Sequence, residues 1–255
     1  TGITITGTDA ANYTQNTTAT TTANITLRTL NVTATASNKT YDRTTAASVT
    51  YADDRIAGDI LTVSGTPSFA DKNAGTGKTV TATGITITGT DAANYTQNTT
   101  ATTTANITAK ALAIGIVADN KQYDATSTAT VTFTDNRISG DNFAINRTAA
   151  FTSANVGTGI GVQVTGVTLS GSDAANYSVS ATGASTATIL KRPVLVTGTS
   201  VGTKTYDGTT TALLSGGVVV GLLGADQVTL NQLGAFVTPN ASAAAIAVTG
   251  LDTLS

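Results

Sequence analysis

Three carboxylates fall within the short stretch Asp53-Asp54-Arg55-Ile56-Ala57-Gly58-Asp59, and two recur at the same spacing in Asp135-Asn136-Arg137-Ile138-Ser139-Gly140-Asp141. Carboxylates closing a strand are hard oxygen ligands of the kind Ca²⁺ uses. Asp53, Asp54, Asp59, Asp135 and Asp141 are therefore the candidate calcium ligands, with a rigidified repeat as the consequence. The same residues also spell an Asp/Gly turn, the embedded Arg55 and Arg137 repel a cation, and only Asp226 persists in the corresponding stretch further on. A second chemistry is invited by Gly75-Thr76-Gly77-Lys78-Thr79, which looks like the end of a phosphate loop. That loop needs a glycine where Lys72 stands, and the later copy reads Gly159-Ile160, so the glycines are expected to make a hairpin turn.

Carboxylates beside tyrosines offer a third possibility, general acid catalysis. Asp42, Asp124 and Asp207 follow Tyr41, Tyr123 and Tyr206, while Asp91, Asn94 and Tyr95 recur as Asp173, Asn176 and Tyr177. The physical alternative is structural. Each Asp of the first set caps a turn while its Tyr anchors the edge of a sheet and finds a backbone partner through its hydroxyl. In the second set Asp and Asn close a turn and Tyr plugs the core, much as in a tyrosine corner.

Composition narrows the choice. The 255 residues contain no Cys, Met, Trp or His, and all 15 acidic residues are Asp. Without imidazole or thiol the chain lacks the usual general bases, nucleophiles and soft-metal ligands near neutral pH, which argues against most enzyme classes. Charged residues make up 11% and the formal net charge is −2, so no basic field exists to neutralise nucleic acid. No apolar run approaches the roughly 20 residues of a membrane helix, so no membrane insertion is expected within this segment.

These residues sit in a repeat. Residues 1–26 recur without change at 83–108, and the same 82-residue period relates Tyr41-Asp42 to Tyr123-Asp124 and Tyr95 to Tyr177. A third copy begins near Pro193, with small insertions. The expected organisation is the end of a preceding repeat at 1–28, complete repeats at 29–110 and 111–192, and the beginning of a following repeat at 193–255. Within each copy Leu30, Val32, Ala34 and Ala36, or Leu112, Ile114 and Ile116, alternate with polar residues, which is strand periodicity. The apolar parity switches at Gly84, at Gly166 and near Gly250, where a glycine bulge would return one face to the core. The pattern predicts an all-β chain of tandem Ig-like antiparallel β-sandwich repeats of about 82 residues forming an elongated rod.

Lys39-Thr40-Tyr41-Asp42, Lys121-Gln122-Tyr123-Asp124 and Lys204-Thr205-Tyr206-Asp207-Gly208, with the later Asp-Ala-Ala-Asn-Tyr segment, resemble the YDG repeat of bacterial filamentous-haemagglutinin-like adhesins and giant surface proteins. The resemblance covers essentially the whole chain. It departs at Arg43 and Ala125, where the family usually has Gly, so those two turns are expected to differ in geometry. It implies stalks of Ig-like domains, an extracellular or cell-surface location and a fibre role, and it names no ligand.

The partners expected are neighbouring repeats and other copies of the chain, since so little charge leaves little repulsion between rods. Thr4-Ile5-Thr6, Thr79 to Thr83 and Thr99 to Thr104 set hydroxyls in rows that could instead meet glycans or ice, or simply supply β propensity and a soluble face. Asn24, Asn31, Asn38, Asn106 and Asn146 begin Asn-x-Thr triplets, which matter only where the host glycosylates them.

Overall fold

The alternation seen in the sequence folds as strands because each has a partner ladder that buries its apolar side. The computed structural model describes residues 2–254, and among them it is all-β with three one-turn 3-10 segments and no α-helix. Contacts divide the chain into two units, 1–110 and 111–255.

In the first unit a four-stranded sheet runs in the order Lys39–Thr40, Thr100–Thr108, Gly75–Thr88, Thr62–Phe69. Thr33–Ala36 pairs antiparallel with Val49–Ala52 in a second layer. Between them Leu30, Val32, Leu61, Ala82, Ile85 and Tyr95 form a buried cluster. The repeat at 111–192 reproduces this β-sandwich-like plan with Lys121–Gln122, Thr182–Leu190, Gly157–Ser170 and Ala144–Phe151, over a core of Val131, Phe151, Val162, Val164, Val167, Ala187 and Ile189. Short parallel pairs join the antiparallel ladders: Arg28–Leu30 beside Tyr95–Gln97, Lys39–Thr40 beside Ile107 and Thr108, and Lys121–Gln122 beside Ile189 and Leu190.

The parity switches have the expected cause at two of three places. The register slips between Ser64 and Thr66 opposite Gly84, and between Asn146 and Thr148 opposite Gly166. Both glycines are left-handed, with φ +61° and +63°. One extra residue there turns the next side chain inward, so that Val80, Ala82 and then Ile85 are all buried. At Gly250 no slip occurs, and the ladder runs unbroken from Leu230↔Leu254 to Phe236↔Val248. The Gly75-Thr76-Gly77 glycines make a bulge inside the long strand and not the hairpin turn expected. The register slips between Gly75 and Lys78, Gly77 has φ +60°, and its N–H donates to Asn106 Oδ1 at 2.7 Å. The Asn106 side chain meets this amide across the ladder, which moves the chain reversal back to 70–74.

The third copy is built from Leu195–Thr197 with Val218–Val220, Ser200–Val201 with Leu214–Ser215, and a sheet ordered Thr211–Ala212, Leu230–Phe236, Val248–Leu254. Val248–Leu254 takes the place of the long strand and has a ladder on one side only. Residues 2–26 contain the 3-10 turn Ala10–Asn12 and no strand.

Candidate functional site

The Tyr-Asp turn is organised by a lysine that the sequence reading quoted without giving it a role. Lys39 Nζ donates to Asp42 Oδ1 at 2.8 Å, to the Thr44 carbonyl at 2.7 Å and to the Ala46 carbonyl at 3.0 Å. Lys121 makes the same set to Asp124, Thr126 and Thr128, and Lys204 to Asp207, Thr209 and Thr211. The lysine thus threads a loop whose carbonyls point inward. Its charge lies 5.5 Å from the Phe69 ring centre and, in the next copy, 5.4 Å from that of Phe151. The aspartate caps the turn as expected: the N–H of Thr44, Thr126 and Thr209 each donates to its Oδ1 at 2.9 Å. The lysine bond is the leading cause that holds the Asp124 and Asp207 carboxyls down to about 2.

The three turns share one geometry despite their different central residues. Arg43, Ala125 and Gly208 have φ of 69°, 60° and 78°. The departures from glycine therefore do not alter the turn, because the lysine and aspartate bonds fix the backbone whichever residue stands there. The tyrosines differ far more. Tyr41 is 2% exposed and Tyr206 is 65% exposed. Tyr123 finds not a backbone partner but a carboxylate, donating to Asp226 Oδ1 at 2.9 Å, and this bond raises its pKa.

The Asp-Ala-Ala-Asn-Tyr segment acts as a clasp on the acidic loop. Asp91 makes no side-chain cap on its own 3-10 turn. Its Oδ2 instead accepts the Ile60 N–H at 2.9 Å, and Asp173 likewise takes that of Asn142. The Tyr95 hydroxyl accepts the Ile56 N–H at 2.9 Å and donates to Asp59 Oδ2. Tyr177 repeats this with Ile138 and, at 2.6 Å, Asp141. These bonds span some 30 to 40 residues of chain, unlike the short reach of a tyrosine corner. Asn94 is exposed and Asn176 is buried.

The calcium candidates are spread along this loop and each already has an internal donor. Asp53 and Asp135 form two-pronged ion pairs with Arg55 and Arg137, whose Nη2 atoms stand 2.6 Å from Oδ2. The same arginines donate to the carbonyls of Leu61 and Phe143 and so tie the loop shut. Asp54 accepts the Asn31 N–H, while Asp59 and Asp141 take the tyrosines. Among the described residues no group of three or more possible metal ligands converges.

The outer face of the first repeat carries a hydroxyl grid. Ladder partners Ser68, Thr81 and Thr102 form one row, and Thr66, Thr83 and Thr100 the next. In the repeat at 111–192 the second row persists as Thr148, Thr165 and Thr182, while the first is replaced by Ala150, Gln163 and Ala184.

Fold and site together define a chain of tandem β-sandwich-like repeats, each carrying a Lys-Tyr-Asp turn, with an Asp-Tyr clasp in the repeats at 29–110 and 111–192. The YDG domain family matches residues 26–105, 108–187 and 190–255, and the chain belongs to that family. No curated protein and no solved structure matches it.

Proposed function

We propose that this chain is a structural stalk or fibre segment of an exported bacterial surface adhesin or matrix filament, with a mechanical and not a catalytic role. The observation that carries this reading is the bond from Tyr123 Oη, in the repeat at 111–192, to Asp226 Oδ1 in the copy that follows. It ties two successive copies across the short Lys191–Pro193 connection. Arg192 Nε adds a bond to the Gly221 carbonyl at 3.3 Å. A junction fixed by side-chain bonds limits swing between neighbours, which is what a spacer under load requires.

The acidic loops favour the same reading. Their charged groups are engaged internally: arginine on aspartate and on the Leu61 and Phe143 carbonyls, aspartate on tyrosine. Such closed networks hold a fold together and leave no poised acid or base. The hydroxyl grid of the first repeat favours a second role, contact with a carbohydrate surface, but the loss of one of its two rows in the next copy fits a solvated outer face better.

Single-molecule stretching tests the stalk reading. Each complete repeat should unfold as one event that lengthens the chain by about 270–300 Å, from about 3.3–3.6 Å per extended residue. Smooth extension without discrete steps would refute a load-bearing role, and selective retention on a glycan array would favour the second.

A further inference from the structure

We propose that the repeat at 111–192 carries a side cleft that binds the carboxamide of an Asn or Gln side chain presented by another polypeptide.

The cleft is defined by the residues that close it in the preceding repeat. There the Asn98 carboxamide lies against the backbone of Val32 as a neighbouring strand would: its Oδ1 accepts the Val32 N–H at 2.7 Å, and its Nδ2 donates to the Val32 carbonyl at 3.0 Å. Gln97 Nε2 donates to the Ile85 carbonyl at 3.2 Å. The 82-residue period puts Ser180 in place of Asn98 and Val179 in place of Gln97, with Ile114 and Val167 as the counterparts of Val32 and Ile85. Ser180 Oγ donates to the Thr182 carbonyl at 3.0 Å, and the Val179 side chain has no donor. The Ile114 backbone still faces the gap. The Ala113 carbonyl accepts the Asn136 N–H and the Asp119 N–H donates to the Thr130 carbonyl, both toward the partner strand Val131–Asp135. Alternation along the ladder then turns the N–H and carbonyl of Ile114 the other way. Among the described residues no side chain bonds to either group.

What is left is a cavity of about 250 Å³, lined by Leu112, Ile114, Ile116, Val167, Val179 and Ser180 among others. Its wall is fitted to the opening. Ile116 replaces Ala34 and Gly183 replaces Ala101, and a Cβ at Gly183 would collide with Ile116 Cδ1. Ile116 thus packs over Gly183 and leaves Ile114 half-buried, where Val32 is 2% exposed.

The chemistry of the opening selects its occupant. Apolar walls surround one N–H and one carbonyl of the same residue. A primary carboxamide places a donor and an acceptor on one edge, so it meets both groups at once and leaves neither desolvated and unpaired. A trans secondary amide has its N–H and carbonyl on opposite sides, and a carboxylate only accepts, so each satisfies one group alone. Polypeptides present primary carboxamides on Asn and Gln, whose aliphatic stems suit the Leu112, Val167 and Val179 walls. The inference stands independently of the stalk reading.

NMR titration of the 255-residue chain with N-acetylglutamine N-methylamide tests it. The amide shifts of Ile114 and of Thr168, whose nitrogen follows the Val167 carbonyl, should move and saturate in the millimolar range, as so small a ligand requires. Those of Val32 and Thr86, where the site is already filled, should stay fixed. N-acetylserine N-methylamide, with the same backbone amides and no carboxamide, should move none of them. Ser180→Asn restores the side chain of the preceding repeat and should abolish the response. Shifts that do not move, that move equally with the serine compound, or that survive Ser180→Asn would overturn the proposal.

Discussion

In residues 83–108 the side chains of Tyr95 and Ile107 are 5% and 2% exposed, whereas the same residues in the identical tract at 1–26 are 72% and 101% exposed. What the two tracts share is local. Asp9 and Asp91 have φ/ψ of −103°/4° and −102°/1°, Tyr13 and Tyr95 follow at −129°/149° and −128°/153°, and both enclose the turn Ala-Ala-Asn. What they do not share is every feature needing a partner: the ladders, the bulge at Gly84 and the clasp on the acidic loop. A turn closes with bonds among neighbours, while a strand has none of its own. The comparison separates what this stretch of chain does unaided from what its repeat makes it do.

Matched substitutions should widen the contrast. Ile107→Ala removes a core side chain and should cost about 2–5 kcal/mol. Ile25→Ala, the same change in the same sequence, should stay within about 0.5 kcal/mol in dilute solution. Chemical denaturation of the two variants checks the pair, and equal costs would break the comparison. Next in size is Tyr177→Phe, which removes the acceptor of the Ile138 N–H and a donor to buried Asp141. It should cost about 1–3 kcal/mol, against nothing measurable for Tyr13→Phe.

The three Tyr-Asp turns provide a finer comparison. A left-handed φ costs an L-residue about 1–2 kcal/mol, and glycine loses about 0.5–1 kcal/mol of that gain through unfolded-chain entropy. Ala125→Gly should therefore raise stability by up to about 1.5 kcal/mol, and Gly208→Ala should lower it, as thermal unfolding would show.

The smallest effect is on acidity. The Asp124 and Asp207 carboxyls are depressed from 3.8 to about 2, so their contribution to stability is complete above the unfolded value and is lost as pH falls through about 2. Carboxyl chemical shifts followed by NMR should show midpoints near 2 for both. Lys121→Gln should bring Asp124 back toward its ordinary range while leaving Asp207 unchanged.

Much of the fold was legible because repetition exposes it. The parity switches at Gly84 and Gly166 located two bulges, and Asp42 standing directly after Tyr41 pointed to a capped turn. The site was less so. Lys39, Lys121 and Lys204 recur two places before the tyrosine in every copy, yet an isolated lysine in a polar stretch reads as a solvated side chain. That Asp91 serves Ile60, or Tyr95 serves Asp59, follows from no local pattern, because the partners are over 30 residues apart. The glycines at 75 and 77 look the same whether they bend a hairpin or bulge a strand, and only the ladder opposite them distinguishes the two.

By itself the sequence determined the period, the strand alternation and the small turns, all of which depend on residues a few places apart. Tertiary structure alone decided which of two identical tracts became strands, which tyrosine was buried and which carboxylate received which donor. Backbone amides in an extended segment are satisfied by another segment or by water, and no residue in the segment can specify which is present.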